Sequence, residues 1–232
     1  MRRDIRTPLT RRQAVGLTAG TMLAAAAGLP GIALAQAGAA PTGAPPTGAR
    51  GVTVQPWLGE KVYGDPNAPV TVIEYASLAC SHCADFHTRI WPVMKKEFVD
   101  NGQVKLIFRD YPLNGPGLRA HMLARCGGEV RFDGLKDVLF KTQANWLNQN
   151  FDAQLRRVAS MAGVSPAQFD ACMADKALEN FLVQSQMTGG SKFNINSTPT
   201  FIVENTGAVI AGAKQDELFA ALEAAGAKRA GS

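Results

Sequence analysis

The strongest chemical signal in this sequence is a pair of cysteines, Cys80 and Cys83, separated by two residues. The pair follows an apolar, β-branched segment and lies where a helical pattern begins. A thiol at a helix N-terminus faces unpaired backbone N–H groups and the positive end of the helix dipole, and both favour the thiolate. Because a stabilised thiolate favours the dithiol over the disulfide, such a pair is an oxidant. The motif therefore predicts thiol–disulfide exchange, with Cys80 as the exposed nucleophile and Cys83 as the shielded resolving thiol.

The histidines bear on whether the motif is a redox pair or half of a zinc site. His82 lies between the cysteines and can add a positive charge or an N–H donor near the sulfur. A structural zinc site would need two further ligands at close spacing, and His87 and His121 do not provide a matching pair. We therefore expect redox chemistry that needs no metal and no other cofactor. We interpret His87 as a solvated or hydrogen-bonded surface residue and His121 as a structural residue.

Two further cysteines, Cys126 and Cys172, lie far apart in predicted helices. In an oxidising compartment two spare cysteines usually pair. Two buried free thiols are the alternative, because the separation of the helices does not follow from the sequence. Neither residue belongs to a C-x-x-C motif, so we interpret the pair as structural.

Glu74 is an acidic residue in an otherwise apolar strand, six positions before Cys80. A buried carboxylate has a raised pKa and can exchange protons with a shielded thiol. The alternative is a glutamate near the strand end that points into solvent, since periodicity alone does not decide its direction.

The elements that position these residues follow from runs of apolar residues and from turn signals. They are a strand at Val70–Ala76, a helix at Cys80–Asp100 kinked by Pro92, a strand at Val104–Arg109, a helical region at about 115–193, a hairpin of Phe201–Glu204 and Ala208–Ala211, and a helix at Asp216–Ala225. This order predicts an α/β protein with a mixed central sheet flanked by helices. It is the order of a thioredoxin fold, with an all-helical insertion between the second strand and the C-terminal hairpin. In such folds a cis-proline at the start of the hairpin, here Pro199 after Thr198, packs beside the C-x-x-C motif.

The N-terminus has the pattern of a signal peptide over residues 1–35. Charged residues up to Arg12 precede an apolar stretch that ends in Ala33-Leu34-Ala35, a small-x-small cleavage pattern. The arginine pair resembles a twin-arginine signal but lacks the usual aromatic residue and leucine, so the general secretory route stays open. An uncleaved anchor is the alternative, disfavoured by the glycines and by Pro30. Export predicts the bacterial periplasm, followed by a linker at 36–56 and one domain at 57–227.

The charge distribution argues against nucleic acid as a partner. The net charge of the chain is +5, but residues 1–35 carry five arginines and one aspartate. The rest of the chain holds 19 Lys and Arg against 18 Asp and Glu. A nucleic-acid-binding protein would need a basic body.

Two segments, residues 74–83 (EYASLACSHC) and 197–201 (STPTF), resemble the DsbA-like family of periplasmic thiol:disulfide oxidoreductases. The similarity is greatest to its alphaproteobacterial branch, in which a second disulfide within the helical insertion is expected. The resemblance implies that Cys80 is the attacking cysteine, Cys83 its buried partner and Glu74 the family's buried acid. It also implies that His82, in the dipeptide between the two cysteines, occupies a position where the strong oxidants of the family also have a histidine. Pro199 matches the cis-proline whose neighbouring backbone, with Thr198, pairs with a substrate peptide.

The resemblance also implies a function. We expect a monomeric enzyme that introduces disulfides into exported proteins or peptides and so assists their folding. A quinone-linked, DsbB-like membrane protein would reoxidise it. A periplasmic reductase or isomerase of the same fold is the alternative, because the dipeptide is Ser-His rather than Pro-His and because Thr198 is also found in reducing relatives. The third hypothesis is a peptide-binding module without redox activity, which the intact C-x-x-C motif disfavours.

Overall fold

The structure, a computed structural model, describes residues 59–231 and contains a five-stranded mixed sheet. The strands are β1 (Lys61–Tyr63), β2 (Val70–Ala76), β3 (Val104–Asp110), β4 (Thr200–Val203) and β5 (Ala208–Ala211). Their order in the sheet is β1-β3-β2-β4-β5. The central pair β2–β3 is parallel, and the pairs β1–β3, β2–β4 and β4–β5 are antiparallel. The predicted mixed sheet and hairpin are confirmed, whereas β1 was missed because it is only three residues long.

Strand β2 positions the site because it lies at the centre of the sheet and is covered on both faces. Its β-branched residues suit a pleated, buried surface, and six of its seven residues are buried. Side chains alternate along a strand, so Glu74 shares a face with Val72 and Ala76. The neighbours of Val72 and Ala76 include the helix that follows β2, whereas Ile73 and Tyr75 pack on the opposite face.

The helical stretch that carries the C-x-x-C motif is interrupted. It consists of α1 (Ser81–Asp85), a π-type turn (Phe86–Ile90), α2 (Trp91–Met94) and a second π-type turn (Lys95–Val99). Pro92 lies in the first turn of α2, where its missing N–H interrupts the regular hydrogen-bond ladder. The predicted helix is therefore found, with π-type turns on either side of the proline-containing segment.

The region between β3 and β4 is all-helical, as predicted. It contains α3 (Gly115–Cys126), α4 (Gly128–Lys141), α5 (Gln143–Trp146), α6 (Phe151–Met161), α7 (Pro166–Ala174) and α8 (Lys176–Phe193), and α9 (Gln215–Ala224) ends the fold. Successive helices are separated at Gly127, at the Asn148–Asp152 segment and at Gly163. A further break precedes α8, where the carboxylate of Asp175 accepts the N–H groups of Ala177 and Leu178.

A disulfide between Cys126 and Cys172 joins α3 to α7, with their Cα atoms 5.9 Å apart. Both residues are buried. The link closes a long loop within the helical insertion, so it ties α3 to α7.

The predicted signal peptide at 1–35 and linker at 36–56 lie outside the described residues. Among residues 59–231, no helix combines the length and the apolar character needed to cross a bilayer.

Candidate active site

Cys80 lies between β2 and α1, at the N-cap of the helix, as its position in the sequence predicted. Its half-buried thiol donates a hydrogen bond to the carbonyl of Thr198, with Sγ and O 3.2 Å apart. The Thr198–Pro199 peptide bond is cis, which confirms the expectation for this proline. The antiparallel pairing of β2 with β4 brings this segment beside the motif, although 118 residues separate it from Cys80 in the chain.

Hydrogen bonds to its sulfur lower the pKa of Cys80 from 9.0 to about 5. The largest contribution is the hydrogen bond from the Cys83 thiol, and partial burial opposes the shift. The backbone N–H groups of Cys83 and His82 add to the stabilisation of the thiolate. Cys80 is therefore a thiolate at neutral pH whenever the pair is reduced.

The two cysteines of the motif differ sharply in their surroundings. Cys83 is fully buried, and the Ser77 N–H lies 3.4 Å from its sulfur. Burial, followed by the interactions with Cys80 and Glu74, raises the pKa of Cys83 well above its usual value. The site thus pairs one exposed, ionised sulfur with one shielded, protonated sulfur.

The side chain of His82 is exposed, and within the described chain its ring makes no hydrogen bond with either sulfur. The contribution of His82 to the Cys80 thiolate comes from its backbone N–H. The N–H donor that we predicted for His82 is therefore its backbone N–H at the start of α1, and not its imidazole ring.

Glu74 is fully buried, so of the two orientations considered the buried one is found. Its Oε1 lies 2.9 Å from Nε2 of His87, while its Oε2 has no hydrogen-bond partner in the part of the chain that the structure describes. The neighbouring positions on β3 and β4 are Phe108 and Phe201, which provide no polar group for the carboxylate. Within residues 59–231, the carboxylate is thus hydrogen-bonded to one side chain, His87.

The expectation that His87 lies at the surface is wrong. His87 is 7% exposed and stacks on Phe140 of α4, with ring centroids 4.4 Å apart. Burial lowers the pKa of His87, against the opposing effect of the Glu74 carboxylate. A signal was present in the sequence, because His87 precedes Trp91, Met94 and Phe98 at the spacing of one buried helix face.

His121 is structural, as expected, but it has partners that the sequence did not reveal. Its Nε2 accepts the N–H of Leu78 at 3.1 Å, and its Nδ1 lies 2.6 Å from Oδ1 of Asp110. Asp110 also accepts two hydrogen bonds from Arg125. Although burial opposes it, the guanidinium of Arg125 and the hydrogen bond with His121 lower the pKa of Asp110.

Gln143, at the start of α5, is a site residue that sequence reasoning missed. Its amide nitrogen donates to the carbonyl oxygens of Leu78 at 2.8 Å and Cys80 at 3.1 Å. No local pattern around a single glutamine indicates such a contact. Within residues 59–231, no group of three or more His, Cys, Asp or Glu side chains is arranged to hold a metal ion.

The fold and the cysteine pair define a thioredoxin-type thiol site, and the comparisons with known proteins agree. The thioredoxin family model Thioredoxin_4 matches residues 58–224, so the chain belongs to this family. Among solved structures, alpha-DsbA1 of Wolbachia pipientis superposes with a TM-score of 0.66 at 28% identity, over 72% of this chain and 90% of that chain. BdbD of Bacillus subtilis superposes with a TM-score of 0.63 at 25% identity, over 74% of this chain and 95% of that chain. The DsbA-like resemblance and the fold class are thereby confirmed.

Sequence relatives carry names of the same kind. A Rickettsia bellii protein named as a protein-disulfide oxidoreductase is 28% identical over 148 residues, which cover 62% of this chain and 56% of that protein. Disulfide bond formation protein D of Bacillus subtilis is 29% identical over 157 residues, covering 63% of this chain and 68% of that protein. The match spans little more than half the length of the Rickettsia bellii relative.

Proposed function

We propose that this protein is a thiol–disulfide oxidoreductase that introduces disulfides into exported proteins through Cys80 and Cys83. The observation that carries the proposal is the asymmetry of the two sulfurs: Cys80 is half-buried with a pKa of about 5, and Cys83 is fully buried with a raised pKa. A low pKa stabilises the reduced form and thereby favours transfer of the disulfide to a substrate.

In the first step, a substrate thiolate attacks Sγ of Cys80 in the Cys80–Cys83 disulfide. A substrate–Cys80 disulfide forms, the bond to Cys83 breaks, and the sulfur of Cys83 leaves with the electron pair and takes up a proton. In the second step, a second substrate thiolate attacks the substrate sulfur of the mixed disulfide. Cys80 leaves as a stable thiolate, so the substrate loses two electrons and this protein gains them. Its low pKa makes Cys80 the better leaving group.

Glu74 is the proposed proton donor for Cys83. The negative charge of Glu74 acts on this cysteine, which places the two groups within electrostatic reach. His87 holds Oε1, while Oε2 has no hydrogen-bond partner among the described residues, so one carboxylate oxygen is oriented and the other is left unbonded. A buried acid in this position can deliver a proton where water cannot reach.

Thr198 and Pro199 are proposed to border the bound substrate peptide. The Thr198 carbonyl is within hydrogen-bond distance of the Cys80 sulfur, so a peptide joined to Cys80 would run beside this backbone. An extended peptide in this place can pair with the main chain, as in other strand-addition complexes. His82 is proposed to contribute through its N–H at the helix start.

The proposed location is the periplasm, reached through the signal peptide at 1–35. The Cys126–Cys172 disulfide supports an oxidising compartment. We further propose that the enzyme acts as a monomer and that a quinone-linked membrane protein reoxidises it, because each turnover leaves it with two electrons. Its nearly neutral body offers no basic surface for nucleic acid.

The proposal is tested by mixing the oxidised protein with a reduced, unfolded substrate protein that has one native disulfide. We expect the substrate to gain its disulfide as Cys80 and Cys83 become reduced. Cys83→Ser should accumulate a mixed disulfide when its Cys80 thiolate attacks the preformed disulfide of the oxidised substrate, because no Cys83 thiol is present to displace the substrate. Cys80→Ser should be inactive. A protein that instead reduces a preformed substrate disulfide from its dithiol state, and that does not oxidise the substrate, would be the reductase alternative.

A further inference from the structure

The loop between β2 and α1, residues 78–80, is held by two side chains of the helical insertion. On α3, His121 accepts the Leu78 N–H at 3.1 Å. At the start of α5, Gln143 donates to the Leu78 carbonyl at 2.8 Å and to the Cys80 carbonyl at 3.1 Å. The backbone that presents the nucleophile is thus attached to the insertion as well as to the sheet.

The Cys80 carbonyl also begins the helix. It accepts the Ala84 N–H at 3.0 Å, which is the first hydrogen bond of the α1 ladder. The Cys80 N–H donates to the Ser77 carbonyl at 3.1 Å, so both sides of the residue are restrained. The bond from Gln143 therefore acts on the peptide unit that sets how Sγ lies against the N–H groups of His82 and Cys83.

Gln143 is itself held in place. The indole of Trp146, which is almost completely buried on the same short helix, donates to the Leu139 carbonyl at 2.7 Å. Thr142, directly before Gln143, donates through its hydroxyl to the Val138 carbonyl at 2.7 Å. These bonds attach α5 to the end of α4, so the amide of Gln143 comes from a rigid support.

We propose that Gln143 is a positioning residue that keeps the Cys80 sulfur aligned with the N–H groups at the start of α1. It acts through the Cys80 backbone and does not touch the sulfur. The inference deepens the proposed function, on which it rests, by assigning to the helical insertion a part in setting the reactivity of the cysteine pair.

The test replaces Gln143 in the full chain by methionine, which has a similar length and shape but no N–H donor. The control is Gln154→Met, a change of the same kind at a half-buried glutamine in α6 of the same insertion. The pKa of Cys80 is measured from the ultraviolet absorbance of the thiolate against pH. The equilibrium of the pair with glutathione is measured at neutral pH.

We expect Gln143→Met to raise the pKa of Cys80 by about 0.5 to 1 unit. At pH 7 this shift disfavours the reduced form by roughly three- to tenfold against glutathione, because the thiolate stabilises that form less. Gln154→Met should leave both values unchanged. If Gln143→Met does not fold, Gln143→Ser removes the same donor with a smaller side chain.

Unchanged pKa and glutathione equilibrium in the Gln143 variant would overturn the inference, even if the variant melts at a lower temperature. Equal shifts in the Gln143 and Gln154 variants would also overturn it. These measurements read Cys80 directly, so a shift specific to Gln143 supports the positioning role even if the substrate assay rejects the oxidase function.

Discussion

The reduction potential of the Cys80–Cys83 pair should respond to pH in a way that follows from the two unlike thiols. With the pKa of Cys80 at about 5 and that of Cys83 well above 9.0, the reduced pair at neutral pH carries one thiolate and one thiol. Reduction then takes up two electrons and one proton. One proton per two electrons lowers the potential by about 30 mV for each pH unit, since a tenfold change in a two-electron equilibrium is about 30 mV.

Below pH 5 the Cys80 thiolate also takes up a proton, and the slope should double to about 59 mV per pH unit. The contribution of Cys80 ionisation to the reduction potential at pH 7 follows from the difference of about two pH units between pH 7 and the pKa of Cys80. The ionisation favours the reduced form by about 100-fold, or about 59 mV, relative to a thiol that is still protonated. This is an upper value, because solvent screens the partly exposed sulfur.

The potential is measured by equilibration with glutathione buffers between about pH 4 and pH 9, after correction for the pH dependence of glutathione itself. The second disulfide, Cys126–Cys172, is followed separately by mass so that it does not contribute. A change of slope near pH 5 is the expected result. A slope that stays near 59 mV per pH unit up to pH 8 would contradict the lowered pKa of Cys80, because such a slope requires an ordinary thiol pKa.

Three further substitutions test the buried groups of the domain. Glu74→Gln keeps the shape of the side chain but removes the acid. Formation of the mixed disulfide in stopped-flow experiments should therefore slow by roughly tenfold to a hundredfold. An unchanged rate would exclude Glu74 as the proton donor. His87→Leu removes the hydrogen-bond partner of the buried Glu74 carboxyl group and should lower the free energy of unfolding in urea at neutral pH by about 1–3 kcal/mol. The double variant with Glu74→Gln should lose less, and an additive loss would contradict this explanation. Replacing both Cys126 and Cys172 by alanine opens a loop of 46 residues. The free energy of unfolding should fall by about 4 kcal/mol. An unchanged free energy of unfolding would show that this disulfide does not stabilise the domain.

Features encoded by neighbouring residues were predictable. The strand at Val70–Ala76 has the same bounds in the structure as in the prediction, because a β-branched run is bounded there by turn residues. The position of Cys80 at a helix start followed from the same local pattern. The proline after Thr198 was expected to be cis from the order of the elements.

Features that depend on long-range contacts were left open or missed by the sequence prediction. A strand covered on both faces has no polar side, so its alternation could not show which way Glu74 points. His87 is polar, and its type concealed the buried helix face on which it lies. Gln143 reaches the Cys80 carbonyl across 63 positions of sequence, and only the packing of the insertion against the sheet brings the two together.

The reduction potential of Cys80–Cys83 at pH 7 is the measurement that decides whether this protein donates disulfides, as we propose. We expect a value near that of DsbA, about −120 mV, because the Cys80 thiolate stabilises the reduced form. A value near that of thioredoxin, about −270 mV, would contradict the claim and indicate a reductase that needs a supply of electrons.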